Sequence, residues 1–454
     1  MLKLDTVARR RRRSAAGHVR TPSPALGAKL RERTAHVVVM GLGYAGLPMA
    51  TEFASAGFRV TGLDINQERV RRINAGESPV SDVESATIAR LTHTGALSAT
   101  TDSNILAEAD VVFICVPTPI TADRSPNLGY VQAAASSIAE NLHPGMLVIL
   151  QSTVPPGTTR RVLLPILEEA SGLHLGRDYH VAFAPERIDP GNKQFNVRNT
   201  PKIVGGATPE CTRLAALLFE PVAETIMRVS SPDVAEMTKL MENSFRFVNI
   251  SFVNEMAIIC DRIGIDVWEV IDAAATKPFA FMPHYPGPGV GGDCIPVVPF
   301  HVDAVAREHG LAANMITTAG RINDEMPAFV VDKLARLLFE RGRSLISARV
   351  LVLGVTYKAN VNDIRESPAL RVLQILRERG ASPVYYDPYV PSLLAGGTIY
   401  QSISEDELRG GDFDCAVLLT AHRGVDYDAV IRNVGLVLDT RNFLPANHGV
   451  VTRI

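Results

Sequence analysis

Between Met40 and Leu47 the chain reads Gly41-Leu42-Gly43-Tyr44-Ala45-Gly46, and this turn constrains the fold more than any other segment. It follows the apolar run His36-Val37-Val38-Val39-Met40, which has the composition of a strand buried on both faces. A helix is expected to about Ala56, and then a second strand, Phe58 to Leu63, delivers Asp64. The first glycine permits the tight turn, the second lets the main chain approach a pyrophosphate, and the third lets helix and strand pack closely. Helix N-terminal amides then face the anion. Asp64 stands 18 residues beyond Gly46, close to the spacing of an acid that accepts hydrogen bonds from a ribose. A carboxylate there repels a 2′-phosphate and so favours NAD over NADP, while Arg69, five residues on, works slightly against that preference.

Further buried strands are expected at Val111–Val116, Leu147–Leu150 and His180–Ala184, with helices between them. This alternation predicts an α/β fold with a doubly wound parallel sheet over residues 35–230. The pattern restarts at Ala348, with strands at Val350–Leu353, Pro383–Tyr386 and Cys415–Leu419 and a further run Val437-Leu438 before Asp439. Residues 345–454 are enough for a second, Rossmann-like nucleotide-binding domain. Its first turn, Gly354-Val355-Thr356-Tyr357-Lys358, lacks the second and third glycines, so a second dinucleotide is not expected there. Residues 231–330 form a central helical domain. A long helix runs from Asp233, after Pro232, to about Ile263, and more helix follows Asp266 and spans about Val302 to Asn323. Met237, Leu240, Phe245, Val248, Phe252 and Met256 recur along the long helix at helical spacing. A helix of this kind between two α/β units is expected to bury its apolar face in a second copy, giving a homodimer or a higher homo-oligomer.

The first 34 residues, with the basic run Arg9 to Arg13, read as a disordered extension without the apolar segment of a secretory signal. A net charge of −2 offers no basic field for nucleic acid, and no apolar run approaches the ~20 residues of a membrane span. Cys115, Cys211, Cys260, Cys294 and Cys415 show neither paired nor metal-ligand spacing, which fits a reducing cytoplasm and no metal site.

Cys115-Val116-Pro117-Thr118-Pro119 and Gln151-Ser152-Thr153-Val154-Pro155-Pro156-Gly157 close two strands at their carboxyl ends, where such sheets bind ligands. Thr118 and Thr153 are placed to hydrogen-bond a cofactor or a reacting oxygen, whereas Cys115 reads as a buried strand residue. The loop Gly287-Pro288-Gly289-Val290-Gly291-Gly292-Asp293-Cys294-Ile295-Pro296 ends on a thiol. Its glycines would admit a substrate close to the main chain, and the thiol could attack a carbonyl carbon; an incidental loop cysteine is the alternative. Lys239, Asn243 and Arg246 stand at i, i+4 and i+7, a stripe that is ordinarily solvated but lies here on the most apolar helix of the chain. Glu186, in Ala184-Pro185-Glu186-Arg187, follows a strand end and could act on a water or a proton.

Gly41–Pro48, Ser152–Thr159, Ala184–Asn192, Lys239–Glu255, Gly287–Pro296 and Gly354–Leu370 together resemble the UDP-glucose/UDP-N-acetylmannosamine dehydrogenase family, in order, over residues 35 to 454. Glu242–Asn249 and Pro286–Gly289 resemble its branch acting on UDP-N-acetylhexosamines, with UDP-glucose as the alternative substrate. The resemblance implies a four-electron oxidation of the sugar C6 hydroxymethyl to a carboxylate, using two NAD⁺ in turn. An aldehyde would be captured by Cys294 as a thiohemiacetal, oxidised to a thioester and released by water. Lys239 and Asn243 would stabilise developing negative charge, and Glu186 and Thr153 would assist proton transfer. Glu186, Arg187, Arg246, Lys358, Arg441 and the Tyr285–Gly291 loop, including Gly289, would contact the UDP-sugar, and Arg365 would reach the NAD. One departure stands out: four residues after the cysteine the family ordinarily carries an aspartate, and here Val298 replaces it, while Asp293 precedes the cysteine. Two readings follow, an active dehydrogenase in which Asp293 or Glu186 compensates, and a UDP-sugar-binding homologue with impaired or lost turnover.

Overall fold

The computed structural model describes residues 25–454 other than 81–82, 122, 189–191, 193, 293 and 446–448. Arg9–Arg13 and Asp293 therefore lie outside the described residues.

Eight strands build the first sheet: β1 (His36–Met40), β2 (Arg59–Leu63), β3 (Leu97–Thr100), β4 (Val111–Ile114), β5 (Leu147–Leu150), β6 (His180–Phe183), β7 (Lys202–Gly206) and β8 (Ile226–Val229). Their order is β3-β2-β1-β4-β5-β6-β7-β8, parallel throughout except where β6 meets β7. Helices cover both faces, so alternate residues of one strand enter different cores. Val37 and Val39 pack with Phe53, Phe113 and Phe219, whereas Val38 joins Val112, Val148 and Ile138. The chain leaves β1 toward β2 on one side and returns to β4 on the other. The carboxyl ends of β1 and β4 thus flank the crevice in which such sheets bind ligands. The sequence reading did not include β3, β7 and β8. The edge strands β3 and β8 alternate buried and exposed positions or are half-exposed, and β7 opens on a lysine and ends on two glycines.

The central helix, Pro232–Ile263, is capped by the Ser231 side chain at its start and by left-handed Gly264 at its end. The single helix expected over Val302–Asn323 is two helices, Pro299–Glu308 and Asn314–Glu340. Gly310, at φ 71°, ends the first, and the second runs on past Asn323 because Pro327 is accommodated within it. Buried Asp261 ties the central helix to this second one through Lys333 at 2.7 Å and Arg336 at 2.6 Å.

A second sheet, β9 (Arg349–Leu353), β10 (Ser382–Tyr386), β13 (Cys415–Leu418), β14 (Val437–Asp439) and β15 (Val451–Arg453), is parallel in the order β10-β9-β13-β14-β15. The strands β11 (Ser392–Ala395) and β12 (Thr398–Gln401) pair separately as a hairpin. The fold class expected from sequence is the one observed. One boundary needs correction: residues 25–34 are not part of a disordered extension. Leu26–Glu32 is a helix whose Leu26 and Leu30 are buried in the core that holds Leu214 and Phe219, and Lys29 pairs with Asp110 at 2.6 Å. Two leucines four residues apart were too short an apolar signal to stand out beside the polar residues around them.

Candidate active site

The glycine turn divides its labour as the sequence implied. Gly41 has φ +89°, and a Cβ there would lie 2.6 Å from the Cys115 carbonyl oxygen, while a Cβ on Gly46 would overlap the carbonyl of Gly41. A Cβ on Gly43 would meet nothing within 4 Å, so the main chain there is open to a phosphate. Ala45 caps the helix Gly46–Ser55 whose first amides face the turn. Asp64 is only 5% exposed, and it does more than await a ribose. Its Oδ2 accepts from the Leu42 amide at 2.8 Å and from Arg69 Nη1 at 2.8 Å, and its Oδ1 accepts from Asn66 N at 2.9 Å. The carboxylate therefore fixes the turn itself and keeps one Oδ1 lone pair for a sugar hydroxyl. From the other unit, Arg365 sets its guanidinium 5.3 Å from the Tyr44 ring and is itself held by Asp363, and Tyr44 Oη donates to Asn362 at 3.1 Å. These residues fit a dinucleotide.

The ends of β4 and β5 are tied together, since Thr118 donates to the Thr153 carbonyl at 2.6 Å and Ser152 to that of Val116 at 2.7 Å. Burial, and then the charge of Glu186, push the Cys115 thiol up to about 12, which makes it unreactive at neutral pH. Glu186 is held from several sides: Oε1 accepts from the amides of Arg187 (2.8 Å) and Ile188 (2.9 Å), and Oε2 accepts from Gln151 Nε2 at 2.9 Å.

The central helix buries polar residues beside Leu240 and Phe247 and exposes a row of apolar ones. Lys239 and Asn243 are buried, while Val234, Met237, Met241, Phe245, Phe252, Ile259 and Ile263 are 41–71% exposed. Glu236 sets this rotation. Its buried carboxylate accepts from the amides of Gly157 (2.6 Å) and Thr159 (2.8 Å) and from the Thr159 hydroxyl (2.6 Å). The helix is thereby pinned to the loop after β5, with Lys239 and Asn243 one and two turns further along the same side. Arg246 is exposed, so the expected three-residue stripe splits. Arg187 pairs with Glu242 at 2.7 Å and donates to the Pro201 carbonyl, joining the β6 end and the helix.

The glycines before Cys294 have a further use that their composition did not suggest. A Cβ on Gly287 would lie 2.6 Å from Arg441 Nη1, and one on Gly291 would lie 2.6 Å from Tyr357 Cβ. Gly289, at φ +125°, approaches Pro368, and Gly292 N donates to the Arg365 carbonyl at 2.9 Å. Their lack of side chains lets the carboxyl-terminal unit dock on the loop. Asn254 of the central helix accepts from Gly287 N at 2.9 Å on the other side. Cys294 stands exposed beyond this clamp. Its carbonyl accepts from the amide of Val298, whose side chain is 2% exposed. Tyr285 stacks on Trp268 with centroids 5.9 Å apart. Arg441 donates Nε to the Leu419 carbonyl at 2.7 Å, and burial pushes its guanidinium down to about 10.

The carboxyl-terminal unit repeats the device of the first. Gly354 has φ +77°, and Asp387 at the end of β10 accepts from Val355 N at 2.8 Å, as Asp64 does from Leu42 N. Here, however, the acid pairs with an imidazole where Asp64 pairs with Arg69. His422 Nδ1 accepts from Asn360 N at 3.0 Å, so Nε2 carries the proton and donates to Asp387 at 3.0 Å, and the Tyr389 ring covers the imidazole at 5.0 Å. Asp387 Oδ1 accepts from the Tyr389 amide at 2.9 Å, as Asp64 Oδ1 accepts from Asn66 N. Lys358 follows this turn, three residues beyond Val355. Among the described residues, no three His, Cys, Asp or Glu side chains are grouped to hold a metal ion, and no helix is long and apolar enough to cross a membrane. Glu236, Lys202, Asp387 and His422 escaped the sequence reading, because a single buried polar residue leaves no periodic signal.

A sheet with a dinucleotide turn at its switch point, a helix carrying buried polar residues and a second nucleotide-type unit over a cysteine loop define an NAD-linked oxidoreductase. The chain belongs to the UDP-glucose/GDP-mannose dehydrogenase family: residues 35–223 match its NAD binding domain, 233–325 its central domain and 351–446 its UDP binding domain. It is 36% identical over 414 residues to a UDP-N-acetyl-D-mannosamine dehydrogenase of Pyrococcus horikoshii, covering 90% of this chain and 96% of that one. It is 38% identical to a UDP-N-acetyl-D-glucosamine 6-dehydrogenase of Pseudomonas aeruginosa, over 78% of this chain and 83% of that one. A solved UDP-D-ManNAc dehydrogenase structure from Pyrococcus horikoshii superposes with a TM-score of 0.83 at 33% identity, covering 92% of this chain and 99% of the other. The expectation of an NAD-dependent nucleotide-sugar dehydrogenase is borne out.

Proposed function

We propose that the chain oxidises the C6 hydroxymethyl of a UDP-N-acetylhexosamine to a carboxylate through a thioester on Cys294. The observation that carries this reading is the exposed Cys294 thiol on a loop clamped between the central helix and the UDP-binding unit. The relatives named for UDP-N-acetylmannosamine and UDP-N-acetylglucosamine support the substrate class.

Gly41, Gly43, Tyr44, Ala45, Gly46, Asp64, Arg69, Thr118, Thr153 and Arg365 would hold NAD⁺, which when bound supplies a hydride acceptor at each oxidation. Lys358, Arg441, Arg246, Arg187, Tyr285, Gly289 and Gly291 would hold the UDP-sugar. Lys239 and Asn243, buried and rigidly placed by Glu236, stabilise charge on the sugar oxygen as the alcohol proton leaves. The Cys294 thiolate then adds to the aldehyde carbon to give a thiohemiacetal, whose oxidation leaves a thioester. Water adds to the acyl carbon and gives a proton to Glu186, the C–S bond breaks, and the thiolate is restored. Each turnover consumes one water and two NAD⁺ and yields the carboxylate, two NADH and three protons.

A second reading rests on Val298. Buried and apolar where the family carries a carboxylate, it can neither hold a water nor take a proton, so thioester hydrolysis is the slow step or fails. The exposed apolar side of the central helix fits a second copy of the chain, making the molecule a homodimer or higher homo-oligomer. Mixing the protein with NAD⁺ and UDP-linked N-acetylglucosamine, N-acetylmannosamine, N-acetylgalactosamine or glucose, and following NADH, tests the proposal. Sustained NADH with an N-acetylhexosamine is expected. A single stoichiometric burst selects the second reading, and no NADH with any of them overturns both.

A further inference from the structure

Lys202, the first residue of β7, has a side chain only 5% exposed, yet its nearest acceptor is Glu186 Oε2 at 3.5 Å. That distance is too long for a strong hydrogen bond, and Nζ has no other hydrogen-bond partner among the described residues. It also lies over the face of Phe219, at 5.1 Å. Burial pushes the ammonium down, and Glu186 pulls it back up. A buried ammonium with one distant counter-ion is costly, and an apolar side chain of the same length would be cheaper for folding. The adjacent Gln151 repeats the anomaly: its Nε2 donates to the same Glu186 Oε2, while its Oε1 is buried without a partner among the described residues. One unmatched donor, Lys202 Nζ, and two acceptors, Gln151 Oε1 and Glu186 Oε2, thus belong to three side chains joined at Glu186 Oε2. A water molecule needs that set, since its oxygen accepts one hydrogen bond and its two protons are donated. Both lone pairs of Glu186 Oε1 are taken by main-chain amides, so only Oε2 is available to act.

We propose that Lys202 is a positioning residue which, with Gln151, seats the water that exchanges a proton with Glu186 Oε2 during thioester hydrolysis. The inference rests on the reading of Cys294 and Glu186 given under Proposed function. It also explains how hydrolysis can proceed with Val298 in place of the loop carboxylate. The ammonium lowers the cost of the hydroxide-like charge that forms as the proton moves to Glu186, and the C–S bond breaks as that oxygen bonds to the acyl carbon.

Rapid-mixing NADH traces separate the two halves of the reaction. Lys202→Met should leave the burst amplitude and the NAD affinity near wild type and slow the steady-state phase by about tenfold to a hundredfold. Lys202→Arg, which keeps a charged donor, should recover part of that loss, and Gln151→Leu should slow the same phase. In a Glu186→Gln background, Lys202→Met should add little further slowing, because both act through one carboxylate. A wild-type steady state in both Lys202→Met and Gln151→Leu, or multiplicative losses in the double variant, would overturn the proposal while leaving the covalent reading intact. Absence of any NADH from the wild type would instead overturn that reading, and this inference with it.

Discussion

Asp64 was legible in the sequence because its distance from the glycine turn is fixed by the length of one helix and one strand. Its second role was not, because no spacing reveals that the same carboxylate accepts the Leu42 amide and pairs with Arg69. The two roles give Asp64→Ala a compound outcome. The turn loses the acceptor that shapes it, the ribose loses a partner, and Arg69 is released toward any 2′-phosphate. A charged hydrogen bond is worth about 1.5–3 kcal/mol, so the NAD dissociation constant should rise by roughly tenfold to a hundredfold. NADP binding should weaken less or improve. Calorimetric titration with NAD and with NADP measures both constants. An unchanged NAD affinity would show that neither role matters. Lys239 and Asn243 illustrate the opposite limit: their spacing marked a stripe, but only the structure shows them buried on the side that Glu236 anchors.

At the scale of elements, the helix Pro299–Glu308 carries the buried imidazole of His301, neither of whose ring nitrogens has a partner among the described residues. Burial pushes its pKa down from 6.5 to about 4. The unfolded chain therefore binds a proton between those values that the folded chain resists. The stabilisation is fully present above about pH 6.5 and is lost progressively as pH falls toward 4, on the order of 3 kcal/mol across the window. Thermal unfolding followed at several pH values should show a steeper acid decline in wild type than in His301→Phe, and parallel curves would contradict the assignment. This element begins on the buried Val298 and follows the Cys294 turn, so its loosening at low pH should also disorder the Cys294 loop. The sequence reading merged this helix with the next because the Gly310 break is a single residue. Strands buried on both faces, such as β1, β4 and β5, were found readily, since their apolar runs are uninterrupted.

In the whole molecule two α/β units each carry a glycine turn gripped by an acid at the end of the second strand, and Tyr44 of one donates to Asn362 of the other. The long apolar helix was visible in the sequence. That Met241 and Phe245 point outward while Lys239 and Asn243 turn inward was not, because periodicity does not say which face is covered. The exposed residues from Val234 to Ile263 recur at spacings of three, four and seven, a seam suited to a second copy of the same helix. Met241→Glu combined with Phe245→Glu should therefore convert a dimer or larger assembly to monomers in size-exclusion chromatography with light scattering. A monomeric wild type would remove the seam's proposed partner. The central claim, oxidation by two hydride transfers through an acyl group on Cys294, is tested most directly by acid-quenching the protein during turnover with NAD⁺ and a UDP-N-acetylhexosamine. The masses of the Cys294 peptide and the NADH formed per carboxylate are then measured. The account predicts a peptide heavier by the acyl group, two NADH per carboxylate, and loss of both acylation and carboxylate in Cys294→Ala with NAD affinity retained. Undiminished carboxylate formation by Cys294→Ala would contradict it.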